Sequence, residues 1–120
     1  MFAGSQATIY VGDLDRAVKF YTQTLDMKLM FQAGPKFAQL EAPGGMQIGL
    51  HPAGPKSPRP GVPGSIQVGI MCQQPIDQVV ATLTQRGVRF QGPVVADPPV
   101  RLAFFGDPDG NPLYLCEYKP

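Results

Sequence analysis

Polar and apolar residues alternate from Gln6 to Val11, with Ala7, Ile9 and Val11 on one side and Gln6, Thr8 and Tyr10 on the other, the period-two pattern of a strand. The period then lengthens. Leu14, Ala17, Val18, Tyr21 and Leu25 recur at helical spacing behind Asp13, whose side chain suits an N-cap. Asp26 is expected to end this helix, since aspartate tolerates the left-handed conformation better than most residues. Three short strands follow, at Lys28 to Phe31, Lys36 to Glu41 and Met46 to His51, with Pro43-Gly44-Gly45 turning between the last two. The succession then returns. Ser65 to Met71 alternates as a strand, and Pro75 suits the first turn of a helix whose stripe is Ile76, Val79, Val80 and Leu83. Gly87 is placed to stop that helix, and Val88 to Phe90, Val100 to Phe105 and Pro112 to Tyr118 read as three further strands. The predicted order is β-α-β-β-β, twice.

A direct repeat supports this doubling. Pro43-Gly44-Gly45-Met46-Gln47-Ile48-Gly49-Leu50 lies over Pro108-Asp109-Gly110-Asn111-Pro112-Leu113-Tyr114-Leu115, an offset of 65 from position 43 to position 108. Proline, glycine, an aliphatic and leucine match in order. A doubled module brings equivalent strands around a shared axis, where a cleft can form. The expected fold class is α+β: two βαβββ modules forming an open, curled mixed sheet around a cleft.

Strand parity separates two faces. Ile9, Val11, Ile48, Leu50, Ile66, Val68, Leu113 and Leu115 share the parity expected to pack under the helices. The opposite parity carries Gln6, Thr8, Tyr10, Gln47, Gly49, His51, Ser65, Gln67, Gly69, Tyr114 and Cys116, mixing small, polar and tyrosine residues without charge. Two readings fit this second set: a solvated face of an antiparallel sheet, or the lining of a cleft.

Composition narrows the function classes. A chain of 120 residues is read as a single domain, residues 1–120, with module one at about 5–51 and module two at about 64–118. Five of its 14 prolines fall from Pro52 to Pro63, so residues 52–63 read as a stiff, extended linker. The net charge of +1 offers no basic stripe for nucleic acid, and no apolar run is long enough for a membrane span. Without a basic region followed by an apolar segment at the start, a cytoplasmic location is expected. Cys72 and Cys116 are too few for a disulfide scaffold and read as reduced thiols.

Val11-Gly12-Asp13-Leu14-Asp15-Arg16-Ala17-Val18-Lys19-Phe20-Tyr21, with Leu25-Asp26-Met27 after it, resembles the opening of the vicinal oxygen chelate superfamily. This superfamily includes glyoxalase I, bleomycin resistance proteins, fosfomycin resistance enzymes and extradiol dioxygenases. Asp107-Pro108-Asp109-Gly110-Asn111-Pro112 is similar to its closing motif, and the resemblance runs from about Gln6 to Glu117. Asp26 stands where the family usually has glycine. The resemblance implies paired βαβββ modules around a cleft. It also implies that the metal-dependent members' ligand positions fall here at Gln6, Gly49, Ser65 and Tyr114. A catalytic metal site needs about three protein ligands. Gln6 offers one neutral oxygen, Ser65 and Tyr114 must lose protons to bind well, and Gly49 offers no side chain, so no metal and no cofactor are expected.

The ligand-binding candidates are therefore Gln6, Tyr10, Gln47, Ser65, Gln67 and Tyr114. The tyrosines suit stacking or hydrogen bonding to a flat ligand, and equally packing between sheets. Tyr114 and His51 are the candidates for acid or base chemistry. His51, the only histidine, is alternatively a strand-end surface residue, and as a base it needs an orienting carboxylate or carbonyl, with Glu41 and Glu117 as candidates. Arg101 reads as a solvent-facing strand residue, with contact to an anionic substrate as the competing role. Cys116 reads as inert and buried, and Asp107 and Asp109 as turn formers. The leading expectation is a protein that binds a small organic molecule in a metal-free cleft, as bleomycin resistance proteins do by sequestration. A metal-independent lyase or isomerase using Tyr114 or His51 is the alternative, and a divalent-metal glyoxalase-type lyase the third. Exposed sheet edges predict a homodimer.

Overall fold

The computed structural model describes Met1, Ala3 and residues 6–62 and 66–119. The chain divides into two compact units, Met1–Val62 and Pro63–Pro120. Unit one contains β1 (Ala7–Val11), α1 (Leu14–Lys19), β2 (Lys28–Ala33), β3 (Phe37–Glu41) and β4 (Gln47–Pro52). Unit two contains β5 (Val68–Met71), α2 (Ile76–Gln85), β6 (Val95–Asp97), β7 (Val100–Gly106) and β8 (Pro112–Tyr118). Each unit is a βαβββ module with an open four-stranded mixed sheet, ordered β1-β4-β3-β2 and β5-β8-β7-β6. The first and last strands pair in parallel, and the remaining pairs are antiparallel.

The parity argument holds. Ile9, Val11, Ile48, Leu50, Val68, Leu113 and Leu115 are buried, together with Leu14, Ala17 and Tyr21 of the first helix and Ile76 and Leu83 of α2. Burying each such side chain contributes about 1.5–3 kcal/mol against exposure. Ile66 is only half-buried and precedes β5, which starts at Val68 rather than at Ser65. Ser65 itself lies outside the described residues.

The two turns that carry the sequence repeat share one hydrogen-bond skeleton. Ala42 N–H donates to Met46 O and Gly45 N–H to Ala42 O; 65 positions on, Asp107 N–H donates to Asn111 O and Gly110 N–H to Asp107 O. Gly45 and Gly110 both take the left-handed conformation, at φ +97° and +85°. In unit two the Asp107 carboxylate reinforces this frame by accepting from Asp109 N (2.9 Å), Asn111 N (2.9 Å) and Asn111 Nδ2 (2.8 Å). That is the turn-forming role expected of this motif.

Helix ends follow local chemistry. Asp13 caps α1, its side chain accepting from Arg16 N at 3.1 Å. The expected single helix instead widens into a π-turn over Phe20–Thr24. Within it Thr22 Oγ1 donates to Val18 O at 2.7 Å. Asp26 ends the segment at φ +59°. In unit two Pro75 is the N-cap rather than part of the first turn. Gly87, at φ +96°, stops α2: its N–H donates to Thr84 O while Val88 N–H donates to Leu83 O.

That stop explains why no strand forms at Val88 to Phe90. Val88 belongs to the helix cap, and the segment's first tie to the sheet is Gln91 N–H to Phe104 O at 2.8 Å. The pairing strand is β6, further along, at the 65-residue equivalents of positions 30–32 in β2. The proline-rich segment does not run extended. Ala53 N–H donates to Val11 O at 2.8 Å, and residues 54–57 close a turn through Ser57.

Proline cannot cap α2 with a side chain, and β8 supplies the substitute. Buried Glu117 accepts from Ile76 N through Oε2 at 2.8 Å. Its Oε1 has no hydrogen-bond partner and is held by charge, with Arg101 Nη1 at 3.5 Å. Arg101 also forks onto Asp77 Oδ1 and Oδ2 at 3.2–3.3 Å, so it is a structural cation rather than a free surface arginine. Glu117→Ala should lower the unfolding free energy by about 1–3 kcal/mol, because it orphans a buried helix N–H. Asp77→Ala, which removes only the exposed partner, should cost under about 1 kcal/mol. Urea denaturation of the two variants checks the order.

Candidate functional site

In unit one, the sheet face opposite α1 is built by alternation along three neighbouring strands. Register places Thr8 and Gln39 beside Gly49, Tyr10 beside His51, and Glu41 beside Gln47. Gly49 is buried with no side chain of its own. A Cβ there would sit 2.9 Å from Phe37 Cε1 and 3.1 Å from Gln6 Nε2, so the glycine lets an aromatic ring and an amide lie across the strand. An amide chain runs beside them. Gln39 Nε2 donates to Gln47 Oε1 at 3.0 Å, and Gln47 Nε2 donates to Glu41 Oε2 at 3.4 Å and Gly45 O at 3.3 Å. Both ends of the Gln47 amide are thus fixed, and Glu41 sets which end faces which way.

His51 is exposed at the end of β4, its ring 5.6 Å from that of Tyr10 and tilted 57°. Its Nδ1 lies 2.8 Å from Pro52 O. A carbonyl only accepts, so Nδ1 carries the proton and a neutral ring presents its lone pair at Nε2. Neither carboxylate considered from the sequence orients it: Glu41 serves Gln47 and Glu117 caps α2.

In unit two, the face opposite α2 is more apolar. Gly69 pairs with Tyr114, Tyr114 with Phe104, and Cys116 with both Met71 and Leu102. A Cβ on Gly69 would fall 2.5 Å from Tyr114 Oη, so this tyrosine lies flat across β5 only because position 69 is glycine. The Phe104 and Tyr114 rings stand 6.1 Å apart at 41°. Gln67 is exposed one residue ahead of β5. Cys72 and Cys116 are free thiols. Burial, with the nearby Glu117 carboxylate adding to it, pushes the Cys72 thiol up from 9.0, which argues against a nucleophilic role.

In unit one, register sets Tyr10 beside His51, Gln6 lies over Gly49, and Gln47 sits two residues before Gly49 on the same strand. In unit two, Tyr114 lies over Gly69, and among the described residues no hydrogen bond joins Gln67 to it. Sequence reasoning passed over Phe37, Gln39, Leu102 and Phe104. The signal was present in β3, where Phe37, Gln39 and Glu41 alternate with buried Ala38 and Leu40. No group of three or more His, Cys, Asp or Glu with metal-binding proximity occurs among the described residues. Gln6 is packed against the bare Gly49 backbone beside the Phe37 ring.

The family profile for the Glyoxalase/Bleomycin resistance protein/Dioxygenase superfamily matches residues 5–115, and the chain belongs to that superfamily. Similar solved structures agree. A member of the superfamily from Sphaerobacter thermophilus is 30% identical, with a TM-score of 0.79 and 98% of each chain covered. TnmS3, an antibiotic binding protein from a Streptomyces species, is 29% identical, with a TM-score of 0.78, covering 99% of this chain and 100% of its own. A lactoylglutathione lyase from Agrobacterium tumefaciens, 17% identical with a TM-score of 0.75 and covering 96% of this chain and 92% of its own, shares the fold. No curated protein matches by sequence.

The interlock of Gly69 and Tyr114 can be measured. Gly69→Ala should cost about 1–3 kcal/mol by forcing the ring away, and under about 1 kcal/mol in a Tyr114→Ala background. Tyr114→Ala alone should cost less than Leu115→Ala, which opens a core cavity worth about 2–5 kcal/mol. A double-mutant cycle by chemical denaturation decides it.

Proposed function

We propose that this protein binds a small, flat or partly apolar organic molecule on the sheet faces opposite its helices, without a metal, and acts by sequestration. The observation that carries this reading is the pair of bare glycines. Gly49 admits Gln6 and Phe37 over the first sheet, and Gly69 admits Tyr114 over the second. Such surfaces present rings and neutral hydrogen-bonding groups, the usual chemistry of an organic-ligand site. The antibiotic-binding Streptomyces protein at 29% identity supports it. Gln6, Tyr10, Gln47, Ser65, Gln67 and Tyr114 are the proposed contacts. The proposal places the protein in the cytoplasm; among the described residues no helix is long and apolar enough to cross a membrane.

One observation favours a second reading. The Nδ1–Pro52 hydrogen bond leaves His51 Nε2 available as a base, which suits a metal-independent lyase or isomerase using His51 or Tyr114. Calorimetry against a panel of planar natural products, followed by mass spectrometry of each recovered ligand, separates the two. Sequestration predicts unchanged ligand, affinity unaffected by EDTA, and a loss of about 1–2 kcal/mol on Tyr114→Ala. Chemically altered ligand would establish an enzyme, and EDTA-sensitive binding would restore the metal-dependent reading.

The reading includes a homodimer. β2 is an edge strand, and Leu29, Met30 and Phe31 stand exposed on it in succession, a surface that favours coverage by a second chain. Sedimentation at micromolar concentration should give twice the 12.9 kDa chain mass; a monomer mass would refute it.

A further inference from the structure

The proline-rich segment after β4 borders a shallow, open pocket of about 520 Å³ lined by Tyr10, His51, Pro52, Gly54, Pro55, Lys56, Ser57 and Pro58. We infer that this pocket takes a planar aromatic acid, its ring against Tyr10 and the prolines and its acidic oxygen on Lys56. The inference rests on the ligand-binding reading of the first module and adds a wall and a charge class to it.

The pocket is built rather than incidental. The segment is pinned to the sheet by Ala53 N–H to Val11 O at 2.8 Å, one step beyond the β1–β4 ladder. It is closed on itself by Ser57, whose Oγ accepts from Gly54 N and donates to Gly54 O, while Ser57 N–H also donates to Gly54 O. Pro55 restricts the backbone between these ties, with Pro52 and Pro58 flanking them, and the three rings offer flat apolar walls without backbone donors. The volume is that of a small-ligand site.

Its chemistry is asymmetric. Lys56 is the only charged residue among those lining it, and no carboxylate lines it to neutralise the ammonium. His51 holds its Nδ1 proton toward Pro52 O and turns Nε2, an acceptor, to whatever lies beside it. Tyr10 brings an aromatic ring whose neighbour, His51, is held at 5.6 Å. A ring bearing a carboxylate or acidic phenol meets all three: stacking, an ion pair with Lys56, and an acceptor at His51 Nε2 for a phenolic O–H. A cationic ligand meets repulsion from Lys56.

The test uses the full-length protein with 2-naphthoate and its neutral counterpart 2-naphthamide, followed by calorimetry and by amide chemical shifts. We expect 2-naphthoate to bind more tightly than the amide and to shift the amides of His51, Gly54 and Ser57. Lys56→Met, at an exposed position, should weaken 2-naphthoate up to about fivefold and leave 2-naphthamide unchanged. Ser57→Ala, which opens the loop, should weaken both. Equal affinities for the two compounds, or equal effects of Lys56→Met on both, would overturn the charge assignment. Shifts confined to Gln39 and Gln47 would overturn the proline pocket while leaving the ligand-binding reading of the sheet face standing. Absence of saturable binding at millimolar concentration would overturn the inference, and the function proposed above would then be decided by the wider ligand panel.

Discussion

The parallel pairing of first and last strand in each module governs the rest. A strand can run parallel to another in the same sheet only if the chain crosses over a face, and here a short helix makes the crossing. The helix needs apolar residues beneath it, so one parity of β1, β4, β5 and β8 is committed to Ile, Val and Leu. The other parity is released from packing under the helix. It becomes a surface on which polar and aromatic side chains can be arranged freely, and Tyr10, Gln47 and Tyr114 belong to that parity.

The two modules share a turn skeleton and a topology but finish them differently. The first turn takes a side-chain hydrogen bond from Gln47 to Gly45 O; the second adds a buried aspartate accepting three. The first helix begins with a capping aspartate in its own sequence. The second begins with proline and borrows a glutamate from a strand 41 residues away in the sequence. A local cap fixes one helix end; the borrowed cap also ties helix to sheet, so unit two spends a buried carboxylate on architecture that unit one does not need. The faces diverge too, one an amide network around Gln47, the other rings around Tyr114.

Much of the architecture was legible because it is written in periods. Strand and helix spacing, the 65-residue repeat, Asp13 as a cap, Asp26 and Gly87 as left-handed stops, and the buried parity all follow from local rules, and the structure bears them out. The misreadings occurred where a local signal had a competing use. Val88 to Phe90 looks like a strand, yet Val88 N–H is taken by the helix stop. Phe20 to Thr24 fit a helical pattern, yet the segment widens into a π-turn that the spacing does not announce. Arg101, Glu117 and Asp77 show nothing in sequence to link them, because the tertiary fold brings Arg101 between the two carboxylates. The site was half legible: parity selects Tyr10, Gln47 and Tyr114, but only coordinates show that Gln47 is held by Glu41 and Gln39, or that Phe37 lies over Gly49.

The flat tyrosine over Gly69 has a consequence for how this protein can change. The ring occupies the volume that any side chain at position 69 would need, so the two positions cannot be varied independently. A lineage reshaping this face most readily gives up the tyrosine first, passing through an intermediate that lacks the ring, and then places a side chain at position 69. The reverse order meets a steric barrier at once. Single-site libraries would therefore under-sample this surface, and paired libraries at 69 and 114 reach shapes that neither position reaches alone.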